Sequence, residues 1–146
     1  MEELVFIQRL VRQHMTMDIK SADDNTQVDL WLYRLFKQAG FSAIAGCFIH
    51  LADILATYEH NLDQERWQQA LTSGTQILDG WFYRHDRVAE PLKIINGDEI
   101  MRRFNLPQGP LIGELIELVR EHQVMGRVSN QVEAMNVVEQ ELAGRN

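Results

Sequence analysis

Apolar positions recur along this chain at spacings of three and four, the period of a helix that buries one face. Over residues 2–15, Leu4, Val5, Ile7, Leu10, Val11 and His14 form such a stripe, and Glu2 and Glu3 stand where a helix dipole favours negative charge. Residues 16–26 turn polar and acidic and read as a loop, with Asp23, Asp24 and Asn25 available to cap the next helix. Residues 27–39 carry Val28, Leu30, Trp31, Leu32, Leu35 and Phe36 and stop at Gly40, a residue suited to the left-handed turn past a helix end. Residues 42–58 are apolar nearly all round, which predicts the central and most buried helix, with Ser42 as its cap. Asp63 fits the cap of a long fourth helix through Trp67, Leu71, Ile77, Leu78, Trp81 and Phe82. Gly74 and Gly80 each weaken that helix by about 1 kcal/mol relative to alanine and allow a bend. Residues 88–95 contain Pro91 and read as an extended connection between two subregions.

The punctuation sharpens from Asn96. Asn96-Gly97 precedes a short helix with Asp98 and Glu99 in its first turn and Arg102 and Arg103 in its last, the charge order the helix dipole favours. Residues 106–110 break the chain, and Pro110 suits the first position of a helix over 111–125, closed by Gly126. Ser129 is the expected cap of a last helix with Val132, Met135, Val138 and Leu142 on its buried stripe. No segment alternates as a strand does. The expectation is all-α, a single helical-bundle domain of about seven helices, in which residues 1–90 carry a tail of residues 91–146 packed on them. No internal repeat or low-complexity tract interrupts this picture.

Composition narrows the class. With 146 residues, 45% of them hydrophobic, the chain has the size of one ordinary domain. Cys47 is its single cysteine, so no intramolecular disulfide forms, which suits a reducing cytoplasm. The most apolar stretch, residues 41–57, is interrupted by His50 and Asp53, and no signal peptide opens the chain; a soluble protein without a membrane partner is expected. A net charge of -7 argues against indiscriminate nucleic-acid binding and leaves room only for a local basic patch.

Three constellations bear on chemistry. His85-Asp86 is the dipeptide of a metal-dependent phosphohydrolase, but its place between an aromatic run and a proline-containing connector fits a solvated helix end. Asp53 lies on an apolar helix one turn after His50, where a buried carboxylate has to be paired or coordinated; capping a neighbouring helix or pairing with Arg12 or Arg34 is the plainer use, and metal binding with His14 the sharper one. The Arg102-Arg103 pair and the Gly109-Pro110-Leu111-Ile112-Gly113 helix start together suit a phosphate, through unpaired backbone N–H groups and guanidinium contacts. Against this, Gly-Pro often only starts a helix, and Gly113 suits close helix packing. No nucleophile elbow, phosphate-binding loop or dinucleotide fingerprint occurs, and no cofactor is expected. The aromatic run Trp81-Phe82-Tyr83 offers surfaces for stacking bases, although core or interface packing is its commoner use.

The run INGDEIMRRFNLPQGPLIGELIELVRE, followed by Gly126 and residues 129–134, resembles the C-terminal part of bacterial CCA-adding enzymes, the tRNA nucleotidyltransferase and poly(A) polymerase family, of the type with an HD domain in the middle. LVRQHM at residues 10–15 and HLADILA at residues 50–56 resemble later helices of that HD region. The glycine-rich nucleotide loop and paired aspartates of the family's catalytic head have no counterpart in these 146 residues, nor does the HD region's leading histidine and His-Asp pair. His14 and Asp53 are the positions nearest to a vestigial metal site.

The resemblance therefore implies a C-terminal fragment or stand-alone relative, non-catalytic by itself, that works in tRNA processing by supporting RNA binding and a nucleotidyltransferase head in the same or another chain. The RNA contacts it implies are Arg102, Arg103, Gly109, Leu111, Ile112, Gly113, Arg120 and Arg127. Two other classes compete with it: a helical interaction or homodimerisation module, which the acidic charge favours, and an HD-type metal-dependent phosphohydrolase remnant built on His14 and Asp53.

Overall fold

The structure, a computed structural model, describes residues 24–145. Among these residues there are seven α-helices, one 3-10 turn and no strand, so the all-α expectation holds. The helix expected over residues 2–15, and His14 with it, lies outside the described residues. The chain divides into two compact units, residues 1–89 and 90–146.

In the first unit, α1 (Asn25–Ala39) starts at Asp24, whose side chain accepts the Thr26 N–H at 2.9 Å, and ends at Gly40 with φ 56°, a value that favours glycine. Helix α2 (Ser42–Tyr58) follows after a two-residue corner. Ser42 does not cap it; its hydroxyl donates to the Ala39 carbonyl at 2.5 Å and ties the corner to the end of α1. After the 3-10 turn Glu59–Asn61, Asp63 caps α3 (Gln64–Tyr83) by accepting the Glu65 N–H, as its sequence position predicts.

Helix α3 runs through both glycines without a break. The reason is packing: a Cβ on Gly80 would stand 3.0 Å from Leu32, 3.2 Å from Phe36 and 3.3 Å from Val88, and one on Gly74 would stand 3.0 Å from the Cys47 sulfur. The glycines are therefore points of close approach.

Two further expectations for this unit need correction. The connection opens just after Val88 and not at it: a short helix α4 (His85–Val88) brings Val88 into full burial and sets Arg84 and Arg87 around Asp29, and residues 89–96 then carry no regular element. Helix α2 is not buried all round. It turns Ala43, Ile44, Cys47, His50 and Ile54 inward and leaves Phe48, Ile49 and Leu55 exposed. Asp53 lies on the exposed side, so its carboxylate keeps its water and the premise of a buried charge seeking a partner falls away.

Among the described residues of this unit the buried carboxylate is Asp29, only 1% exposed. It accepts from Arg84 Nη1 at 2.5 Å and Arg87 Nη2 at 2.6 Å, while Arg84 also donates to Asp79 at 2.6 Å and Gln76 at 3.0 Å.

The second unit is built on α5 (Gly97–Phe104), α6 (Pro110–Val124) and α7 (Gln131–Gly144). Asn96 and Glu99 form a reciprocal capping box at the start of α5, each side chain accepting the other's backbone N–H at 2.9 Å. Asn105, at φ 51°, ends α5, and Gly126, at φ 71°, turns the chain beyond α6. Asn130 rather than Ser129 caps α7, accepting the Glu133 N–H at 3.0 Å. Ser129 instead donates its backbone N–H and hydroxyl to the Glu133 carboxylate.

Ile100, Leu115, Val119, Ala134 and Val138 join the three helices in one apolar core. Gly97 permits the close meeting of α5 and α6, since a Cβ there would stand 3.0 Å from Ile112.

Candidate functional site

Arg102 and Arg103 occupy the last turn of α5, with both side chains exposed. Among the described residues neither has a carboxylate oxygen within 4.0 Å, and the same is true of Arg120 on α6 and Arg127 in the following turn. Arg84, Arg87 and Arg145 differ, because their charges are engaged by Asp29, Asp79, Glu114 and Glu141. An unpaired guanidinium keeps its full set of donors for a planar anion.

The arginine pair opens onto a groove of about 430 Å³ whose other walls are Glu99 on α5 and Gln131, Val132 and Met135 on α7. The helix start at Gly109 is not part of it. Gly109 is extended backbone at φ 176°, which any residue adopts. Ile112 is buried in the core and Leu111 packs half-buried against it, so at this start the side chains turn inward. Gly113 is exposed, and a Cβ there would meet nothing within 4 Å, so it serves no close packing. The structure thus brings Arg102 and Arg103 to the first turn of α7, not to that of α6.

Val132 also departs from its expected place on a buried stripe. It is 71% exposed at the groove, while Met135, one turn on, is buried. Val132, Gln131 and Met135 were not expected as site residues, because nothing local in the sequence says that the start of α7 faces the end of α5. Gln131 donates Nε2–H to Glu99 Oε1 at 3.0 Å across that gap.

Two side chains of the second unit are shifted by their surroundings. Burial first, then the positive charge of Arg127, push the His122 ring below its ordinary value against the opposing pull of Glu121. His122 is therefore neutral at neutral pH, and Arg127 carries the charge of that turn. Glu133 is held below the usual carboxylate range by the Ser129 N–H and hydroxyl that it accepts.

The remaining candidates have structural uses. His85 stacks edge-on against Trp81 at 4.6 Å, with Nδ1 3.2 Å from the Trp81 carbonyl oxygen, and Asp86 is exposed. Phe36 and Phe41 also meet the Trp81 ring edge-on, whereas Phe82 and Tyr83 are exposed. Cys47 is buried and its thiol is pushed up by that burial, the reverse of what a nucleophile needs. Among the described residues no three His, Cys, Asp or Glu side chains gather as a metal would require, and no single helix is long and apolar enough to cross a membrane.

Comparison with known proteins bears on the same region. The profile of the family described as tRNA nucleotidyltransferase domain 2 matches residues 17–138, more than half of the chain. A CC-adding tRNA nucleotidyltransferase of Synechocystis sp. is 28% identical over 60 residues, 41% of this chain and 14% of that protein's length. The chain thus aligns with only a small part of that relative. No solved structure matches.

Proposed function

We infer that this chain, which belongs to the tRNA nucleotidyltransferase domain 2 family, acts as a helical module that holds RNA for a nucleotidyltransferase head in the same or another chain and is non-catalytic by itself. The observation that carries this reading is that four arginines of the second unit, Arg102, Arg103, Arg120 and Arg127, have no carboxylate partner among the described residues and all lie inside the family-matched span. Guanidiniums left unpaired on a chain of net charge -7 suit a local phosphate contact.

The backbone N–H groups at the Gly109 to Gly113 start are a second, separate phosphate contact in this reading. The RNA is a tRNA, by analogy with the relative's name, and the work is tRNA processing in the cytoplasm. Supporting roles divide between contacts that hold the RNA backbone and the buried helices that keep those contacts rigid.

The phosphohydrolase reading has no observation in its favour: Asp53 is exposed and its ligand set is absent among the described residues. The RNA reading is tested by titrating labelled tRNA with the purified chain at low ionic strength. Saturable binding is expected; no detectable affinity would remove the claim.

A further inference from the structure

We propose that the groove between α5 and α7 seats one nucleotide of the bound RNA strand, with a phosphate between Arg102 and Arg103, the base edge on the Gln131 amide and the apolar part of the nucleotide on Val132 and Met135. The proposal rests on the RNA-holding reading above and gives it a specific contact.

Size comes first. A groove of about 430 Å³ lies within the range of clefts that hold small ligands, about 300–1,000 Å³. Its two guanidiniums outweigh its one carboxylate, and that carboxylate is occupied: Glu99 accepts the Asn96 N–H at 2.9 Å with one oxygen and the Gln131 Nε2–H at 3.0 Å with the other.

The Glu99 contact also fixes the Gln131 amide, because a carboxylate accepts only from the NH2 end. Gln131 keeps its carbonyl oxygen and one N–H without a partner among the described residues. One acceptor beside one donor is the pattern with which a side-chain amide reads the edge of a base. Val132, an apolar side chain 71% exposed at the groove, and the buried Met135 offer a surface for the part of a nucleotide that carries no charge. Two like-charged arginines adjacent in sequence, neither with a carboxylate partner among the described residues, call for an anion; the amide and apolar wall beside them call for more than a bare phosphate.

The test is the tRNA affinity of the full chain and three variants, Gln131→Ala, Val132→Asp and Leu92→Asp. Both Val132 and Leu92 are exposed, so each aspartate adds the same charge without disturbing the core, and Leu92 lines no part of the groove. Val132→Asp and Gln131→Ala are expected to weaken binding about fivefold to tenfold, the scale of one base-edge contact, while Leu92→Asp has little effect. If wild type binds but Gln131→Ala is unchanged and Val132→Asp behaves like Leu92→Asp, the nucleotide seat is overturned and the RNA-holding reading stands. If wild type does not bind tRNA at all, both fall. Displacement of the Arg102 and Gln131 amide signals by an acidic peptide but not by RNA would assign the groove to a protein partner and overturn the proposal.

Discussion

Asp29 and Arg84, 55 residues apart in sequence, meet at 2.5 Å in the first unit. Asp29 is buried, so its charge is tolerated only because Arg84 and the more exposed Arg87 surround it. Arg84→Ala removes the better-shielded partner together with the bonds to Asp79 and Gln76, and is expected to destabilise the unit by about 3 kcal/mol. All three tryptophans, Trp31, Trp67 and Trp81, lie in residues 1–89, so urea unfolding followed by tryptophan fluorescence reports on this unit. An unchanged midpoint would show that the pair carries no net stability.

Two glycine substitutions should move stability in opposite directions. Gly113→Ala places a methyl in open space at an exposed position of α6 and should stabilise by about 0.5–1 kcal/mol through helix propensity alone. Gly80→Ala gains the same propensity but drives its Cβ against Leu32, Phe36 and Val88, and should cost about 1–3 kcal/mol net of that gain. Thermal unfolding of both variants decides the matter, and stabilisation by Gly80→Ala would contradict the close packing of α1, α3 and α4.

The lowered His122 titration makes the second unit sensitive to acid. A base whose folded pKa lies below its unfolded value binds fewer protons when folded, so its contribution to stability is present above about 6.5 and is lost as the pH falls through the folded value. Arg127→Ala removes the second cause of the depression, leaving burial, and should move the His122 ring titration upward. Proton NMR of the imidazole measures this directly; a titration unaffected by the variant would place the cause in burial alone.

What was legible in the sequence was local. Asp63, Gly40, Asn96-Gly97 and Pro110 mark helix ends by rules that involve only their immediate neighbours, and each stands where those rules put it. The family resemblance, carried by residues 95–121 and matched over residues 17–138, was legible for the same reason, as a continuous run.

The misplacements come from contacts between distant segments. Gly80 looked like a weak point in a helix because Leu32 and Phe36, on another helix, give it its purpose. Asp53 stands on a helix whose apolar residues run nearly all round it and Val132 on a periodic stripe, and neither pattern says which neighbours cover which face. The arginine pair could be read as a candidate anion contact, but its neighbour Gln131 depends on the end of α5 meeting the start of α7.

The central claim is that unpaired arginines of the second unit hold the RNA backbone. Its most direct measurement is tRNA affinity as a function of salt, for wild type and Arg102→Ala/Arg103→Ala. Each phosphate neutralised contributes a slope of about -0.7 to -0.9 in the logarithm of affinity against that of salt. Loss of two contacts is therefore expected to flatten the slope by about 1.4–1.8 and to weaken binding at low salt. An affinity and slope equal to those of wild type would contradict the account.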